Sequence, residues 1–241
     1  GAMMHDALII ARYAWMRLWR GKSYWISVIL ALAPVVVALM PFEASERWHN
    51  ALELAIQIVP LSAAIHLAHA VAEELESATV TYLWSRPIAR TALLVGKLLA
   101  ALPVVLGVAV VPVAVVWAVT HVEALTGGAT ALAGSAGALA AAVAATALGG
   151  ITAAMVAAGI GALFPRQAFV VALAYLLFLD KILGAIPNLG YVSIMHHMRA
   201  LAGVHTDVGR TAAATALLAL ALLWLGIGVA RLRTLEATGG E

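Results

Sequence analysis

Ser62, His66, His69, Glu73 and Glu76 recur at helical spacing, so on a regular helix all five share one face. The stretch around Ser62 to His69 is apolar, and ionisable side chains at membrane depth usually face a cavity or another helix. His66, His69 and Glu73 stand at i, i+3 and i+7. Two imidazoles followed by a carboxylate can line a polar pathway, hydrogen-bond across a helix interface, relay protons or hold a metal. Pathway lining by Ser62, His66 and His69 is the reading we carry forward, with no metal. Three further histidines, His196, His197 and His205, lie near Asp207 in a more polar segment, where solvated interfacial imidazoles are expected. Cysteine is absent, which excludes a thiol nucleophile, a disulfide and a thiolate metal site. Gly96-Lys97 is not a phosphate loop. That motif needs Gly-x4-Gly-Lys-Ser/Thr after a strand, whereas position 91 is Thr91 and position 98 is Leu98.

The elements that must position these residues are set by composition. Of 241 residues, 64% are hydrophobic and 11% charged, against about 25% charged in soluble domains. A hydrocarbon core of ~30 Å takes about 20 apolar helical residues. Six stretches qualify: Tyr24–Met40, Ala51–Ala72, Thr91–Thr120, Thr130–Phe164, Ala168–Ile186 and Thr211–Ala230. The third and fourth exceed the bilayer and should tilt, protrude or break, with Pro103 and Pro112 as kink points and Pro60 bending the second. The fold class expected is therefore all-α, a polytopic membrane protein of six transmembrane helices in a single domain over residues 4–241. Residues 1–3 read as a protease-cleavage scar.

Six spans place both termini on one side. That side carries Arg12, Arg17, Arg20, Lys22, Arg86, Arg90, Lys97, Arg166, Arg231 and Arg233; the other carries Arg47, Lys181, Arg199 and Arg210. Ten against four predicts cytoplasmic termini in a multi-pass protein of the inner membrane. Ahead of the first span, residues 4–22 form an amphipathic interfacial helix, with Leu8, Ala11, Trp15 and Leu18 on one stripe and Asp6, Tyr13, Arg17 and Arg20 on the other. The glycine- and alanine-rich fourth span is expected to be a central packing helix. Pro165-Arg166 marks a tight turn, and residues 187–209 an external hairpin or re-entrant helix pair.

Between the second and third spans lies a charged island, EELESATVTYLWSRPIARTALLVGK from Glu73 to Lys97. Each of its charges would cost about 2.5–3.5 kcal/mol at the bilayer centre, so it belongs in water or at the headgroups. If Glu73–Leu83 is helical, Val80, Leu83 and Trp84 form an apolar knob rimmed by Glu73, Glu74 and Glu76. An exposed knob of this kind is a docking surface. Pro87 then ends the helix, and Arg86 and Arg90 return the chain to the headgroups.

This segment resembles the coupling helix of type 2 permeases of the ATP-binding cassette exporters. The acidic residue before the turn corresponds to Glu74 or Glu76, the Thr-x-x-x-Leu to Thr79 and Leu83, and the Ser-x-Pro to Ser85 and Pro87. The basic residue and the Gly-Lys opening the next span correspond to Arg90, Gly96 and Lys97. Ala78 stands where glycine is common, and Trp84 where an aliphatic residue is usual. The resemblance covers about a tenth of the chain, together with the six-span layout and the amphipathic leader. It implies a transport subunit with no cofactor of its own, ATP and Mg being bound by a partner ATPase subunit. A second permease copy and membrane lipid complete the expected partners, and nucleic acid is not among them. Two other classes were weighed. A channel or scaffold subunit would share the spans but not the docking knob. Intramembrane prenyl-protein proteases carry Glu-Glu-x-x-x-Arg, but the residue five after Glu73 is Ala78, and Gly134-Ser135 does not fit a rhomboid-like serine site.

Overall fold

The computed structural model describes residues 2–68, 70–71, 90–126, 129–204 and 208–238, which contain helices and turns and no strand. Helix α1 (Ala2–Arg20) meets α2 (Lys22–Ala38) at 67°. The bend is made by one residue: Gly21 takes extended dihedrals (φ −82°, ψ 145°), which interrupts the helical hydrogen-bond ladder. Aromatic rings bracket it. Trp15 and Trp19 meet edge to face at 5.8 Å, Trp19 lies 4.5 Å from Tyr24, and Tyr24 lies 5.7 Å from Trp25. Amphipathic rings of this type collect at membrane–water boundaries.

Helix α3 (Ala44–Ala63) runs on into a π turn (Ala64–Ala68). Then come α4 (Arg90–Thr120), α5 (Val122–Thr126) and α6 (Ala129–Leu163). A 3₁₀ turn at Pro165–Gln167 leads into a rod made of α7 (Ala168–Leu173), a second π turn (Ala174–Leu179) and α8 (Asp180–Ala185). A further 3₁₀ turn (Gly190–Val192) precedes α9 (Ile194–Ala202), and α10 (Arg210–Thr238) closes the described chain. Among the described residues five helices are long and apolar enough to cross a membrane, or six if α1 and α2 together make one bent span. Helix α4 is continuous through Pro103 and Pro112; proline is tolerated in lipid-facing helices because neighbours satisfy the freed carbonyl.

Burial sorts the rods. The most apolar stretch of Glu46–Ala68 is 72% buried, against 22% for both Pro165–Ala185 and Arg210–Thr234. The first is central; the other two turn most of their surface outward. Helix α6 packs on α3, α4, α7, α9 and α10, and its small side chains set how closely they come. A methyl on Gly161 would stand 2.8 Å from the Ala68 carbonyl, and one on Gly159 2.8 Å from the Trp224 ring. Thr152 adds a polar tie, donating to the Leu217 carbonyl of α10 at 3.0 Å.

Helix α1 does not lie free. It packs on α4, where a methyl on Gly96 would fall 2.8 Å from both the Ala7 carbonyl and the Ile10 side chain. The packed face is offset from the stripe read in the sequence: Ala7 is fully buried and Leu8 is 56% exposed. The glycine on α4 selects the smallest side chain of α1, and periodicity in α1 alone does not register its partner.

Candidate functional site

The bundle has two ends, named here for Gly21, where α2 starts and α3 finishes, and for His121, which follows α4. Near the Gly21 end, packing of α2 against the π turn brings Ser27 to His66. Both are buried, and Ser27 Oγ lies 2.8 Å from His66 Nε2. His66 sits in the middle of the π turn, whose wider i→i+5 hydrogen bonding is a recurrent feature of functional sites. Its Nδ1 has no hydrogen-bond partner among the described residues, and neither has Ser62 Oγ, four residues earlier. Buried polar atoms are nearly always paired, so two orphans on neighbouring residues of one helix mark this region out.

A cavity of about 210 Å³ adjoins His66, roofed by α1 and walled by α4. Its polar lining comes from Arg17, Ser23, His66 and Lys97, with Gly21 at the bend. Lys97 is only 7% exposed, unusual for an ammonium group. Among the described residues no carboxylate lines this space. The chemistry available is donation: two cations, a hydroxyl and an imidazole.

Of the residues singled out in the sequence, Ser62 and His66 are both buried on α3 and its π turn. His69 lies outside the described residues, as do Glu73, Glu74, Glu76, Thr79, Val80, Leu83, Trp84, Arg86 and Pro87. Sequence reasoning missed Ser27, a lone hydroxyl in an apolar run, and did not connect Arg17 and Lys97 to His66. The available signal was the pairing of one hydroxyl on the first span with one imidazole on the second.

The His121 end holds a different polar centre. Asp180, fully buried, opens α8 and receives the start of α9: Ile194 N–H donates to Oδ1 at 2.7 Å, Met195 N–H to Oδ2 at 2.9 Å and the Ser193 hydroxyl to Oδ2 at 3.1 Å. A carboxylate at a helix N-terminus satisfies unpaired N–H groups and complements the helix dipole. At the far end of α9, Arg199 grips Glu53 of α3 through Nε at 3.0 Å and a terminal nitrogen at 2.9 Å. Helix α9 is thus pinned near both ends. His197 Nε2–H donates to the Tyr191 carbonyl (3.0 Å); His205 and Asp207 lie outside the described residues. Nearby, His121 stacks on Trp117 and meets Trp48 edge-on. Among the described residues no three histidine, aspartate or glutamate side chains converge as a metal site would require.

Neither a scan of protein-family models nor a search of curated proteins returns a match to this chain.

Proposed function

We propose that the chain is the membrane-spanning permease subunit of an ATP-driven exporter of the type 2 class, working beside a separate ATPase and a second permease copy. The observation that carries the reading is the elbow: α1 leaves α2 at 67° and lies on α4. Helix α4 begins at Arg90, where the acidic-then-apolar sequence of residues 73–90 ends. An interfacial helix seated on the span that follows a docking segment gives motion of a cytoplasmic partner a route into the bundle. Six spans, cytoplasmic termini and an inner-membrane location belong to the same proposal, supported by the ten-to-four division of basic residues. ATP closure of the partner would shift the two faces of the bundle only through contacts that differ between states. Replacing Leu83 or Trp84 with Asp should abolish copurification with an ATPase subunit, while membrane insertion is kept. Undiminished copurification of both variants would remove the docking role and, with it, the exporter reading.

A further inference from the structure

The cavity at the Gly21 bend has features that an export mechanism does not require. It lies at a definite depth. Helix α2 has 17 residues, about 25 Å at 1.5 Å per residue, close to the hydrocarbon thickness of ~30 Å. Gly21 therefore falls at the hydrocarbon–headgroup boundary, where the Trp15, Trp19, Tyr24 and Trp25 rings gather. The cavity is far larger than the ~10–15 Å³ that a single water needs. Among the described residues its polar side chains are all able to donate, and two of them are cationic. Arg17 and Lys97 already have interaction partners, so a ligand joins a network there and does not meet bare charge.

We propose that this cavity is a binding site for a phosphate group, carried by an anionic lipid of the adjoining leaflet or by a soluble phosphate ester. Lys97 supplies a fixed charge deep in the wall, and Arg17 a planar fork at the mouth, suited to two phosphate oxygens. The hydroxyl of Ser23 provides a neutral polar group. His66, held to Ser27 at 2.8 Å, closes the inner wall of the cavity. Basic pockets between spans at the headgroup level hold anionic lipids by this chemistry. The inference needs the Gly21 end to meet a headgroup layer. It does not need the exporter reading, and undiminished ATPase copurification of the Leu83 and Trp84 variants would leave it standing.

The full chain, purified in a non-ionic detergent, tests it by native mass spectrometry against chain-matched phosphatidylglycerol and phosphatidylcholine, with glycerol 1-phosphate as a soluble competitor. Phosphatidylglycerol should bind in clear preference to phosphatidylcholine, and Lys97→Met and Arg17→Gln should each cut that preference about tenfold or more, as loss of one charge-assisted hydrogen bond does. Glycerol 1-phosphate that fails to displace the lipid assigns the site to lipid; displacement that is lost in both variants assigns it to a soluble ester. Arg17 is exposed, so Arg17→Gln decides the matter even if Lys97→Met does not fold. Equal binding of the two lipids, or a preference that survives Arg17→Gln, overturns the proposal.

Discussion

The two polar centres of this bundle are built on opposite terms. At the His121 end the Asp180 carboxylate is surrounded by donors from one short helix, and Arg199 is matched to Glu53 in a two-pronged pair. At the Gly21 end His66 has one partner, Ser27, and an orphaned Nδ1 beside an open cavity. The first centre spends these groups holding the chain in place, although Nδ1 of the buried His197 on the same helix also has no partner among the described residues. The second keeps some in reserve. In an apolar medium a saturated group fixes structure, whereas a group with an unmet hydrogen bond beside a void is available to a ligand.

That contrast can be tested, beginning at Asp180. Asp180→Ala should cost the most, about 3 kcal/mol or more, because two backbone N–H groups and a hydroxyl lose their acceptor while buried. Thermal unfolding, and protease nicking between residues 187 and 210, would report it; a variant as stable and as resistant as the parent would mean that α9 is held by apolar packing alone. The Glu53–Arg199 pair is about one-fifth exposed on each side. A double-mutant cycle with Glu53→Gln and Arg199→Gln should give a coupling of about 1 kcal/mol. Ser27→Ala should have the smallest effect, about 0.5 kcal/mol, because water in the adjoining cavity can take over the hydrogen bond to Nε2. A loss matching that of Asp180→Ala would show the Gly21 end to be as structural as the other and erase the distinction.

The rods themselves were readable from composition. The apolar stretch Thr91–Thr120 is helix Arg90–Thr120, Thr130–Phe164 is Ala129–Leu163, and Pro165-Arg166 opens a tight 3₁₀ turn as its sequence implies. What escaped was whatever depends on a partner. The two π turns leave no compositional mark, since Ala64–Ala68 and Ala174–Leu179 read like any apolar helix. An inserted π turn advances the helix by one residue, roughly 100° of phase. A regular-helix face drawn through Ser62 therefore does not carry past His66 unchanged. The role of Asp180 was equally hidden. Beside Lys181 it looked like the end of a span, while its partners come 13 to 15 residues later and meet it only when the hairpin folds back. The Ser27–His66 pair is separated by 39 positions and lies on two spans, a tertiary fact that periodicity within either one does not contain.

Where α1 crosses α4, Gly96 lets the Ala7 carbonyl and the Ile10 side chain come within 2.8 Å of the place a methyl would take. With no side chain on one partner at the point of closest approach, the crossing resists sliding there. Displacement of either helix at this crossing is passed to the other nearly undiminished, and the compliance of the region is left to Gly21 alone.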